Sequence, residues 1–256
     1  MIKRLYAIPL GTVEVDVSKF MAWEPERGER YAGPVAAFLI QTDDGRNVLV
    51  DTGLSPDHIE DPECRIPRPD VVVTMTPEDD IRHQLSLVGG EPDDIDIVVM
   101  THFDFDHAGG NRFFPNAQFV VQREQYEYAK ATPQRCFAQD WDLPELSYRL
   151  IEGDQELLPG IELVTTPGHA PGHQSLIVRG LPNTGTVILS SDAAHSHVEF
   201  EEERRDPNAD DDTARTMLAS IRKLKQVRDA ENATLLLNHD ADHWYSDYRL
   251  LPAYYD

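Results

Sequence analysis

The sequence predicts an α/β layered domain, and three observations point there. Short apolar runs bounded by turn residues recur along the chain. Segments with apolar residues at helical spacing fall between them. Several of the short runs are followed at once by His or Asp, the position in which a sheet presents site residues.

The strand-like runs are Val35–Gln41, Asn47–Val50, Ile95–Met100, Ala117–Val121, Ile161–Thr165, Ser175–Val178, Thr186–Leu189 and Thr234–Leu237. Gly45, after Asp43 and Asp44, suits a hairpin turn before the second run. Three helices are expected. Thr76-Pro77-Glu78-Asp79 supplies an N-cap, a proline at the first helical position and an acid three residues on. Ile81, Leu85 and Val88 then share one face as far as Gly89-Gly90. Gln122–Lys130 is a weaker pattern, and Thr213–Arg228 is the clearest, with Met217, Leu218, Ile221 and Leu224 forming one stripe. Strands mixed with helices in this way imply packed α and β layers.

A chain of 256 residues suits one well-buried domain, 1–256, and 40% apolar with 27% charged residues is an ordinary globular balance. No apolar stretch approaches the roughly 18 residues of a spanning helix. Pro9, Glu14 and Asp16 spoil a secretory signal near the start, so a soluble, cytoplasmic protein is expected, with no membrane partner. Cys64 and Cys136 form no CxxC pair and read as ordinary thiols, which leaves His and carboxylates for any metal. The 46 acidic against 23 basic residues give a net charge of −23, which repels phosphate backbones and disfavours nucleic acid. The densest acidic run, Glu199 to Asp212, reads as an exposed loop. Oligomeric state is not legible.

The chemistry concentrates in Thr101-His102-Phe103-Asp104-Phe105-Asp106-His107-Ala108-Gly109-Gly110. Two imidazoles and two carboxylates within six residues of a strand end cannot all be buried unpaired. Together they suit a divalent ion that accepts N and O donors, such as Zn, Mn or Fe; the competing reading is an exposed loop. Later positions weigh against that loop. His169 lies in a Pro/Gly-locked turn after Ile161–Thr165, Asp192 follows Thr186–Leu189, and His239 follows Thr234–Leu237. His173 reads as a support behind such ligands, and Asp51, in Asp51-Thr52-Gly53, as a candidate partner for a ligating His. His58, His83, His197 and His243 read as surface or core residues. Phe20, Met21 and Trp23 read as ordinary packing first and as the wall of an apolar pocket second.

These residues resemble the metallo-β-lactamase superfamily, whose signature is HxHxDH followed by a distant His, Asp and His. The nearest likeness is to its N-acyl-homoserine lactonase and pyridoxolactonase branch, carried also by Leu49–Gly53, Val121–Glu124, Ile151–Asp154, Thr166–Ser175, Ser191–Ala193 and Asn238–Asp240. The resemblance implies an αββα sandwich with two divalent ions, zinc by family habit. One ion would take His102, Asp104 and His169, the other Asp106, His107 and His239, with Asp192 bridging. It implies hydrolysis of a lactone, a small cyclic ester, by metal-activated water, with Asp106 orienting that water. Two departures stand out. The family usually has His where this chain has Asp104, which favours Mn or Fe or weakens one site. The lactonases carry Tyr where this chain has His195, which would donate to the substrate carbonyl or become an extra ligand. A one-metal or non-catalytic binding protein, or a hydrolase of another ester class, is the alternative.

Overall fold

The computed structural model describes residues 1–256 except Trp23, 25–27, Arg205, Asp206 and Asn208. Its two longest strands, β1 (Ile2–Asp16) and β2 (Arg30–Thr42), pair antiparallel. Along β2, Val35, Ala37 and Leu39 pack into one core while Ala36, Phe38 and Ile40 pack into another. Successive side chains of a strand point to opposite faces, so an unbroken apolar run marks a strand buried on both sides. That is why Val35–Gln41 carries no polar alternation.

The larger sheet runs β4-β1-β2-β3-β5-β6-β7, adding β3 (Asn47–Val50), β4 (Val72–Thr74), β5 (Ile97–Val99), β6 (Gln118–Gln122) and β7 (Ser147–Ile151). The smaller sheet runs β12-β11-β10-β9-β8, from β8 (Gln155–Leu158), β9 (Ile161–Thr165), β10 (Gln174–Leu181), β11 (Gly185–Ser191) and β12 (Thr234–Leu237). Leu5, Phe38, Val50 and Val99 from the first meet Leu163, Leu176, Leu189 and Leu236 from the second in the inter-sheet core. Outside the larger sheet, Leu39, Val98 and Phe119 pack with α1 (Ile81–Ser86), α3 (Arg123–Ala131) and α4 (Ala138–Trp141) through Leu85, Ala129 and Trp141. Outside the smaller one, Ile177 and Ile188 receive Ile221 and Leu224 of α6 (Asp211–Glu231) and Phe200 of α5 (His197–Glu202). The layers are therefore α, β, β, α, as expected.

All eight expected strands are present with ends shifted by a few residues at most, except that β2 extends five residues before Val35. Four were not anticipated: β1, β4, β7 and β8. Within β1 stands Pro9, which cannot donate to a ladder. The strand tolerates it because its outer neighbour β4 pairs only with Thr12–Glu14, so Pro9 lies on an open edge. The first expected helix divides: Thr76 and Asp79 close a capping box on a 3-10 turn, Pro77–Asp79, and Asp80 then caps α1 through its own side chain. The acidic run is corrected at its ends. Glu199–Glu202 lie in α5 with Glu199 buried, and Asp211 opens α6. Among the described residues no helix is long and apolar enough to cross a membrane.

Parallel pairing sets the position of the site. β3 and β5 run parallel, as do β11 and β12. Their carboxyl ends therefore deliver Asp51, His102, Asp192 and His239 to one edge of the two sheets.

Candidate metal centre

The motif forms a strand end and one turn of helix, α2 (Phe105–Ala108). It docks on the Asp51-Thr52-Gly53 turn: Thr52 N–H donates to the His107 carbonyl at 2.8 Å and Gly109 N–H to the Gly53 carbonyl at 2.8 Å. The approach is too close for any side chain at Gly109, where a Cβ would lie 2.1 Å from the Ser55 nitrogen. Asp51 itself adopts φ 57°, an uncommon backbone for a non-glycine residue. Its carboxylate accepts from Thr101 N–H at 2.8 Å, from the Thr101 hydroxyl at 2.7 Å and from His107 Nδ1 at 2.8 Å. The supporting part expected of Asp51 is thus built.

Two further imidazoles are set from behind. His102 Nδ1 meets the Thr101 hydroxyl at 2.9 Å, and His239 Nδ1 donates to the Pro34 carbonyl at 3.0 Å. Tyr31, absent from the sequence reading, accepts from Ala241 N–H at 2.8 Å and donates to the His239 carbonyl at 3.0 Å, fixing that loop. His173 contributes no ligand atom. Its Nδ1 donates to the Thr166 carbonyl and its Nε2 accepts the Asp192 backbone N–H at 3.2 Å, so it positions Asp192 as a support should.

All seven expected ligands come together. A tetrahedral shell with bonds of about 2.0–2.2 Å separates its donors by roughly 3.3–3.6 Å. In the second set His239 Nε2 lies 3.3 Å from Asp192 Oδ2 and 3.7 Å from Asp106 Oδ2, and His107 Nε2 lies 3.4 Å from Asp192 Oδ1. In the first set His102 Nε2 and His169 Nε2 lie 3.5 and 3.1 Å from Asp104 Oδ2, and 3.8 and 3.6 Å from Asp192 Oδ2. The buried atoms His102 Nε2, His107 Nε2 and Asp192 Oδ1 have no hydrogen-bond partner. Unpaired lone pairs at such depth are costly, and a cation relieves that cost. The donor set therefore fits a divalent metal.

Arg135, which the sequence reading passed over, enters the first set. Its Nε and Nη2 donate to the two Asp104 oxygens at 2.7 Å each, and Nη2 also lies 2.7 Å from His169 Nε2. The electrostatics of the two sets diverge accordingly. Burial opposes charge on His107, but Asp192, Asp106 and Asp51 outweigh it and hold that imidazole well above its usual range. Burial and then Arg135 push His169 down to about 3, so its Nε2 lone pair is free to accept. Burial would raise Asp104, yet His102 and Arg135 hold it well below the usual carboxylate range.

His195 stands beside the ligands, with Nε2 3.8 Å from Asp192 Oδ2 and its backbone N–H donating to Glu199 at 2.7 Å. Burial opposes a charge on it, but Glu199 prevails and raises its proton affinity. A cavity of about 410 Å³ opens over the site, walled on its apolar side by Val13, Val15, Phe20 and Val71. Phe20 thus lines a pocket and also packs on His239 at 4.9 Å between ring centroids; Trp23 lies outside the described residues. His197 and His243, expected to be surface or core, are partly buried and stack at 3.8 Å, both reaching Asp240.

Residues 30–239 match the metallo-β-lactamase superfamily. The chain is 37% identical over 257 residues to an N-acyl homoserine lactonase of Bacillus thuringiensis, covering 99% of both proteins. It is 32% identical over 270 residues to an N-acyl homoserine lactonase of Agrobacterium fabrum, covering 98% of both. A solved N-acyl homoserine lactone hydrolase, with N-hexanoyl-L-homoserine product at its catalytic metal centre, superposes with a TM-score of 0.89 at 35% identity over 99% of each chain.

Proposed function

Because the chain belongs to the metallo-β-lactamase superfamily, we propose that it is a metal-dependent hydrolase opening the ring of N-acyl homoserine lactones or a related small lactone. The observation that carries this reading is the group of unpartnered buried donors, His102 Nε2, His107 Nε2 and Asp192 Oδ1, at the floor of a cavity with an apolar wall. The protein acts as one catalytic domain, residues 1–256, in the cytoplasm.

Asp106, His107 and His239, with Asp192, would hold a divalent ion, and two imidazoles with carboxylates suit zinc. Asp104 leaves Mn or Fe open for the first set. A bound ion would supply Lewis acidity and bring a water's pKa to about 7. Asp106 faces the cavity with both neighbouring imidazoles at 3.7–3.9 Å, placed to orient the attacking water and carry its proton to the leaving alkoxide. His195 presents an imidazole to the same space, where it would donate to the oxygen on which charge develops. Val13, Val15, Phe20 and Val71 would receive an acyl chain. The net charge of −23 opposes polyanionic substrates.

The test is a panel of lactones, β-lactams and phosphodiesters, with released acid followed by titration. Lactones should be hydrolysed fastest. Turnover of a β-lactam or phosphodiester well above every lactone tried would sink the proposal.

A further inference from the structure

We propose that the guanidinium of Arg135 takes the place of the first metal ion, so that the chain holds a single divalent cation, in the second set. The proposal depends on the preceding reading for the presence of a metal, and departs from the two ions that the family resemblance implies.

The geometry of Arg135 is that of a built-in ligand. It forms a two-pronged pair with Asp104, and one prong also lies 2.7 Å from His169 Nε2 while Nη1 donates to the His169 carbonyl at 3.2 Å. The His169 lone pair that accepts this N–H is the same one a metal would need. Guanidinium stays charged at every accessible pH, and its planar fork matches a carboxylate, so the pair is both permanent and directional. The loop that carries it is fixed: Arg135 N–H donates to the Thr132 carbonyl at 3.0 Å, and the Trp141 indole N–H to the Cys136 carbonyl at 3.3 Å.

The substitution that admits Arg135 is Asp104 itself. An imidazole at that position could not hold a guanidinium in a fork, whereas a carboxylate there calls for a cation. The Asp104–Arg135 pair is neutral, as a His would be, so the change leaves the net charge of the site alone. What it removes is free donors: Asp104 and His169 are engaged. The donors left without a partner, His102 Nε2, His107 Nε2 and Asp192 Oδ1, lie within 4.8 Å of one another. Asp106, His107 and His239 likewise offer donors within 4.8 Å of one another, and Arg135 reaches none of them. A second divalent ion would have to expel Arg135 from its acceptors or sit against a fixed positive charge.

Arg135 also lines the cavity. In the proposed arrangement it is a positioning residue for His169 and a fixed positive charge at the first position.

The experiment counts ions. Protein saturated with zinc and freed of excess is analysed by elemental mass spectrometry, and cobalt-loaded protein by electron paramagnetic resonance. Wild type should hold one ion per chain, with a cobalt signal free of coupling. The double variant Asp104→His/Arg135→Met, which exchanges one neutral pair of roles for another, should hold two. Circular dichroism establishes that it is folded, and Arg135→Met, which frees Asp104 and His169 and removes the fixed charge, serves if it is not: its second ion should bind at least tenfold more tightly than any second ion in wild type. Two ions in the wild type, with coupled cobalt, would overturn the proposal and leave the lactonase reading intact. One ion in a folded double variant would overturn the part assigned to Arg135. No ion in any protein would end both readings.

Discussion

The two halves of this candidate metal centre are built from similar donors but answer their own charge differently. The second set, Asp106, His107 and His239, has two imidazoles braced from behind by the Asp51 carboxylate and the Pro34 carbonyl. Its His107 is drawn towards positive charge by the surrounding carboxylates. The first set, His102, Asp104 and His169, already contains its cation in Arg135, and its His169 is driven neutral. One superfamily motif thus yields a half that calls for an ion and a half that carries one. The lesson is that a ligand signature in sequence specifies where donors converge, while the occupancy of each donor depends on neighbours outside the signature.

The largest test of this contrast is Asp192→Ala, since Asp192 reaches His107, His239, His102 and His169 alike. Removing an outer partner of a metal site costs about 10–100-fold, and removing this shared carboxylate should cost more than about 100-fold in activity, with metal lost. Elemental analysis beside initial rates checks both. Normal metal content with full activity would mean that Asp192 ligates nothing.

A smaller effect tells the halves apart. Asp51→Asn keeps an oxygen opposite His107 but removes the charge that makes the imidazole a better donor. Zinc affinity should fall by about 10–100-fold in a competition titration with a chromophoric chelator. Asp104→Asn, in the half that holds Arg135, should change that affinity far less. Equal losses in the two variants would erase the asymmetry.

Much of this centre was legible in the sequence, and the reasons are local. His102, Asp106 and His107 follow a short apolar run, and His169, Asp192 and His239 each follow another, so strand ends marked them as candidates and the family resemblance implied their convergence. Asp51 was legible because a turn after a strand places a carboxylate next to the neighbouring strand's end. Arg135 was not, since it lies in a loop between helices with no periodicity to place it. The clue lay in Asp104: an acid where a neutral ligand is usual requires a positive partner, but nothing in the chain said which of many Arg residues would supply it. Tyr31 was missed because its partner Ala241 lies 210 residues away, whereas Glu199, only four residues from His195, was hidden in the acidic run read as an exposed loop. In the fold, β1 was hidden by Pro9, and β4, β7 and β8 by brevity or by mixed polar content.

The finest test uses a control that the molecule provides. Asp140, in α4, is another buried carboxylate beside an arginine, but its partner does not present a fork. Arg65 Nε lies 3.4 Å from Asp140 Oδ1, Oδ2 has no hydrogen-bond partner, and Arg65 is already committed to Asp57 at 2.7 Å. Burial therefore prevails, and Asp140 is pushed up to about 6. A carboxyl group whose proton is held more tightly in the folded than in the unfolded chain makes its contribution to stability in acid. That contribution is fully present below the unfolded value, about 3.9, and is lost as the pH rises through about 6. At pH 7 the ionised, poorly paired group costs the fold roughly 1–3 kcal/mol. Asp140→Asn, which resembles the protonated acid in shape and charge, should then raise stability by that amount at pH 7 and by almost nothing at pH 4, as urea unfolding at the two pH values will read. Asp104→Asn should act in the opposite direction at pH 7, because it strips a well-formed fork of its counter-charge and leaves Arg135 partly buried without an anion. If both variants shift stability the same way, the fork between Arg135 and Asp104 confers no advantage over the loose pair at Asp140, and the difference between a carboxylate with its own cation and one without would have no energetic content.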